Sequence, residues 1–72
     1  MGDQVLKNNI KLERARHNMT QADLAQRVGV SRKTINTIET GRFVPTAITA
    51  IKIARAFGLP VEEVFLLDES EG

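Results

Sequence analysis

Between Thr20 and Gly41 of this 72-residue chain, two helix-forming segments are separated by only Gly29 and Val30 before Ser31 caps the second. A connection that short fixes how the helices meet: they cross at a large angle, about 90–120°, through a turn of three or four residues. Each demand of that geometry is met by a residue. Thr20 is a good N-cap, and Asp23 three residues on completes an approximate capping box. Ala25 is small where the helices cross, and Gly29 accepts a positive φ that other residues resist. Leu24, Val28, Val30, Ile35 and Ile38 point inward, while Arg32, Lys33, Asn36 and Thr37 fall on other faces.

Helix signals continue along the chain, and no period-2 alternation bounded by turns marks a strand. The spacing predicts five helices in an all-α domain. The first runs from about Val5 to His17, with Leu6, Ile10, Arg14 and His17 on one face and Glu13 near its middle. Leu12 lies away from that stripe. The second ends at Gly29, and the third spans roughly Arg32 to Thr40. Thr46 caps a fourth over about 47–57, whose Ala47, Ala50, Ile51, Ile53, Ala54 and Phe57 cover a wide arc and make it the most buried helix. Gly58 and Pro60 break the chain before a fifth short helix, Val61 to Leu66. Residues 1–67 form one domain, and 68–72 read as a short acidic tail.

Composition narrows what such a domain can be. A chain this small buries only about 60% of its extended surface, so stability is marginal unless something reinforces it. With no cysteine there is no disulfide, and one histidine cannot complete a zinc site. No apolar run reaches the roughly 18–20 residues of a membrane span, and no signal peptide is expected, which suggests a cytoplasmic protein. Net charge is only +1, but it is unevenly spread. Residues 1–44 carry eight Lys/Arg against four acids, and residues 45–72 carry two against five. A basic front and an acidic back suit a polyanion on one face.

The side chains capable of chemistry do not converge. Glu62 and Glu63 are neighbours about 100° apart on a helix, which is not a general acid/base pair. The two serines, Ser31 and Ser70, lack a nearby base, and His17 suits a structural place near a helix C-terminus. Neither an enzyme nor a cofactor is indicated.

The segment "MTQADLAQRVGVSRKTINTIETGRFVPT", followed by "AIKIARAFGLPVEEVF", resembles the Cro/repressor-type domains (lambda-repressor-like, Xre-family), in particular their small stand-alone members. The likeness covers about residues 6–66 and implies a five-helix fold with its helix-turn-helix at the second and third helices. It implies that Gln21 bonds a DNA phosphate and braces the recognition helix. It also implies that Arg32, Lys33, Asn36 and Thr37 face base edges. Ser31 and Thr34 would contact the backbone at the same helix end, and Thr40 and Arg42 would follow the phosphates. Arg14 and Glu39 would form a buried ion pair between the first and third helices. Elementary electrostatics favours that pairing, because an arginine on a core stripe needs a partner and an unneutralised Glu39 would repel phosphate.

Val64, Phe65, Leu66 and Leu67 are four consecutive apolar residues that a short helix cannot hide on one side. With Phe43, and Val44 beside it, they are the expected contact of a homodimer whose two recognition helices lie about 34 Å apart on a palindromic operator. Such a protein would regulate transcription, most simply as a repressor. The alternative is a protein-interaction module, such as an antitoxin, with DNA binding secondary.

Overall fold

A computed structural model describes residues 6–67. Its elements in chain order are β1 (Leu6–Asn8), α1 (Ile10–Arg16), α2 (Gln21–Val28), α3 (Arg32–Glu39), α4 (Ala47–Phe57), α5 (Val61–Val64) and β2 (Phe65–Leu67). The residues expected to form the acidic tail, 68–72, lie outside the described residues.

Local chemistry sets most boundaries. Thr20 accepts from the Asp23 amide at 3.0 Å while the Asp23 carboxylate accepts from the Thr20 amide at 3.0 Å, a complete capping box. Ser31 and Thr46 cap α3 and α4 in the same way, accepting from Thr34 N and Thr49 N. Gly29 closes α2 at φ 85°, the left-handed conformation that lets the chain turn at once into α3.

The core is one cluster: Ile10 from α1, Leu24, Ala25 and Val28 from α2, Ile35 and Ile38 from α3, Ile53, Ala54 and Phe57 from α4, and Val64 and Phe65 from the C-terminal end. Met19, Val30, Ala50, Leu59 and Val61 pack around it. The inward residues expected in α2 and α3 are therefore in or against the core.

Three readings need correction. The first helix starts at Ile10 rather than Val5, because the Asn8 side chain accepts from the Ile10 amide at 3.1 Å and residues 6–8 pair with β2 instead. The fifth helix stops at Val64, and the chain continues as a strand antiparallel to β1, with Leu6 opposite Leu67, Lys7 opposite Leu66 and Asn8 opposite Phe65. The fold is thus helical with one small two-stranded sheet closing its ends. Lastly, α4 is less enclosed than its apolar arc suggests, since Ile51 is 43% exposed and Ile48 68%.

Candidate nucleic-acid interface

The outer face of α3 is built by default, because its inner face is committed. Ile35 and Ile38 are buried, which turns Arg32, Lys33 and Asn36 to solvent within an arc of about 100°. Thr37 sits at the edge of that arc, half-buried, its hydroxyl donating to Thr34 O at 2.9 Å. Ser31 and Thr34 hold each other at the helix start, their hydroxyls 2.9 Å apart. At the other end Thr40 donates to Asn36 O at 2.9 Å. The following loop is tied back to α3, with the amides of Arg42 and Phe43 donating to Thr37 O at 2.9 and 3.2 Å, and the Arg42 side chain stays exposed.

Beneath this face lies a charged network. Arg14 Nε donates to Glu39 Oε2 at 2.7 Å and its Nη2 to Glu39 Oε1 at 3.0 Å, a two-pronged pair between α1 and α3. The remaining fork, Nη1, donates to Met19 O at 3.1 Å. The side chains are 16% and 8% exposed, so the pair is largely withdrawn from water. Burial opposes ionisation of Glu39. The hydrogen bonds from Arg14 and Gln21, with the charges of Arg14 and Lys11, outweigh it and hold the carboxyl below its ordinary range. The hydrogen bond to Glu39 in turn holds the Arg14 guanidinium above its ordinary value.

Gln21 connects the network to the surface. Its Nε2 donates to Glu39 Oε1 at 3.0 Å and to Asn36 Oδ1 at 3.1 Å, and its Oε1 lies 3.4 Å from Arg32 Nε. One side chain at the start of α2 thus touches three residues of α3. Arg14, Thr20, Gln21 and Arg32 also line a shallow concavity of about 560 Å³. Chemically the assembly presents cations and amides on a convex helix and offers no nucleophile or acid/base pair. Among the described residues no cluster of His, Asp and Glu could hold a metal ion.

The Asn8 contact was not read from the sequence, whereas Glu13 was placed on the inward stripe of the first helix and is found there. Asn8 Nδ2 donates to Ile38 O at 3.0 Å, fastening β1 to the end of α3; an asparagine just ahead of a helix was the available signal. Glu13 is buried at 6% exposure, with its carboxylate 3.0 Å from Arg16 Nη1. His17, expected on the inward stripe, is exposed and rests its ring against Phe57 at 5.4 Å between centroids.

A helix-turn-helix family model matches residues 10–64. The chain belongs to the Xre-type helix-turn-helix family. The family is one of DNA-binding regulators, not of enzymes. Among its relatives, an uncharacterised HTH-type transcriptional regulator of Methanocaldococcus jannaschii is 47% identical over 66 residues, covering 92% of this chain and all of that protein. The uncharacterised HTH-type transcriptional regulator YgzD of Bacillus subtilis is 44% identical over 64 residues, covering 89% and 97%. The hypothetical transcription factor NHTF from Neisseria superposes with a TM-score of 0.73 at 25% identity, over 76% of this chain and 62% of that one. A Bacteroides fragilis protein with a TM-score of 0.75 at 23% identity, covering 83% and 97%, shares the fold. Among the described residues no helix is long and apolar enough to cross a membrane.

Of the residues expected at a dimer contact, Val64 and Phe65 belong instead to the protein's own core, at 0% and 7% exposure. The switch from helix to strand at Phe65 turns these two side chains inward and leaves Leu66 and Leu67 outside. Phe43 is half-exposed on the loop after α3.

Proposed function

We propose that this protein is a sequence-specific DNA-binding repressor of the cytoplasm that acts as a homodimer on an operator of two half-sites. The observation that carries this reading is the outer face of α3: Arg32, Lys33 and Asn36 exposed together, on a helix pinned by Gln21 and by the Arg14–Glu39 pair. α3 lies in the major groove, where Arg32 takes guanine O6 and N7 and Asn36 an adenine edge. Lys33 reads a base or neutralises a phosphate. Gln21, Ser31, Thr34, Thr40 and Arg42 surround that face and fix its register against the backbone, and Thr37 reaches the bases from the arc's edge. Repression follows from occupancy of a promoter.

A single module of this kind buries only about 600–1,000 Å² on DNA, which supports two copies reading two half-sites. Selection of bound duplexes from a random library at about 150 mM salt tests the reading. The expected result is a palindromic motif with half-sites about 10 bp apart. Absence of any enriched sequence would contradict it and move the assignment to a protein-interaction module.

A further inference from the structure

The start of α1 runs alongside the C-terminal end of α3. Asn8, just ahead of α1, donates to Ile38 O at 3.0 Å, and Arg14 clamps Glu39 through Nε and Nη2. Lys11 stands between those two ties, one turn before Arg14, with its side chain exposed. Helical spacing puts Lys11 about 60° from Arg14, on the flank of α1 that meets α3. Arg16, by contrast, is turned about 140° from Lys11 and pairs with Glu13.

The charge balance at this end of α3 gives Lys11 a task. Arg14 is committed to Glu39 and to Met19 O, so it cancels one carboxylate and adds no surplus. The helix end itself carries partial negative charge from its last carbonyls. Beyond Glu39 the chain supplies Arg42 and then no cation before Lys52. A phosphate path past Thr40 and Arg42 therefore needs a further cation at this end. The Lys11 charge acts there already, since it helps hold the Glu39 carboxyl below its ordinary range. Yet among the described residues its ammonium has no hydrogen-bond or ion-pair partner.

We infer that Lys11 is a phosphate-binding residue of the DNA interface, carrying the backbone path from the Thr40–Arg42 loop across the end of α3 onto α1. This rests on the DNA-binding reading above and adds to it a contact from outside the helix-turn-helix. An ammonium on a flexible stem meets a phosphate as a point charge, so Lys11 strengthens binding to any duplex and carries no base preference. Its role is separate from that of Arg14, which holds α3 in place and has no donor to spare for the duplex.

Lys11→Gln removes the charge at an exposed position, Lys11→Arg keeps it, and Lys52→Gln removes the same charge from α4, where Lys52 lines a hollow with Arg27 and Arg55. Circular dichroism and urea unfolding check that each variant folds. Fluorescence anisotropy then follows binding from about 50 to 300 mM salt, on the selected duplex and on one of unrelated sequence. In Lys11→Gln the slope of log affinity against log salt is expected to shrink by about 1 per bound subunit. One lost contact is about eight-fold in affinity at about 0.1 M salt, and the factor should be the same on both duplexes. Lys11→Arg should restore the wild-type slope, and Lys52→Gln should leave it unchanged. An unchanged slope in Lys11→Gln, or an equal drop in Lys52→Gln, overturns the inference. So does a loss of urea stability in Lys11→Gln with DNA binding retained, which would make Lys11 a partner of Glu39 alone. A wild type that binds both duplexes equally contradicts the base-reading assignment instead, because the Lys11 effect is also read on unrelated sequence.

Discussion

Arg14 and Glu39 sit 25 residues apart in the chain, and their side chains meet through two hydrogen bonds of 2.7 and 3.0 Å, joining α1 to the end of the helix that faces outward. The pair is a clamp that also neutralises the sole carboxylate of α3 beside the face proposed to meet DNA. Removing one partner strands the other with little water. Arg14→Ala or Glu39→Ala is expected to destabilise the fold by about 2–4 kcal/mol in urea unfolding, and the double variant should cost less than the two single changes added together.

The same network sets an acid limit. Glu39 and Asp23 both have carboxyl groups held below their ordinary values in the folded protein, Asp23 through its backbone and side-chain hydrogen bonds with Thr20. The unfolded chain then binds more protons, so this part of the stability is complete above the ordinary carboxylate range, about pH 4–4.5, and is lost as pH falls through the lower folded values. Urea midpoints should be flat from about pH 7 to 5 and fall below about pH 4. Glu39→Gln should start lower and show a shallower decline.

Gln21 is the joint between clamp and surface. In Gln21→Ala, the Glu39, Asn36 and Arg32 side chains each lose a neighbour while the core is unchanged. Specific DNA affinity is expected to fall about tenfold, with a stability loss of only about 1 kcal/mol. Fluorescence anisotropy and urea unfolding separate the two effects. An equal loss in both would mean that Gln21 serves stability alone.

At the turn between α2 and α3, a Cβ at position 29 would meet no atom within 4 Å, so backbone conformation alone decides the outcome there. Gly29→Ala at φ 85° should cost about 1–2 kcal/mol through the left-handed conformation. Thr20→Ala, which removes a cap instead, should cost about 1 kcal/mol. Thermal unfolding measures both.

What could be read from sequence follows from how local each determinant is. The capping box at Thr20, the caps at Ser31 and Thr46 and the turn at Gly29 are contacts within four residues, and α2, α3 and α4 were legible to within a residue. The polar face of α3 was legible for the same reason, since Ile35 and Ile38 fix what faces out. The β1–β2 pairing was not, because three-residue strands at opposite ends of the chain carry no periodicity of their own. Val64–Leu67 looked like an apolar helix because four consecutive apolar residues fit either a helix or a strand. The exposure of Ile48 and Ile51 depends on which neighbours α4 lacks, and that is a tertiary fact. The Arg14–Glu39 pair lay between these cases: a cation on a core stripe signals the need for a partner, and the family resemblance indicated which one.

The outer face of α3 is proposed to read base edges from a helix held in place by Gln21 and Glu39. Its most direct test is parallel selection from a random duplex library with wild type and Arg32→Ala, at matched salt and with equal helix content confirmed. The expected result is one motif shared by both proteins, relaxed in Arg32→Ala at a single position per half-site by about 1–3 kcal/mol of discrimination. An identical motif from both proteins, or no motif from either, would contradict it.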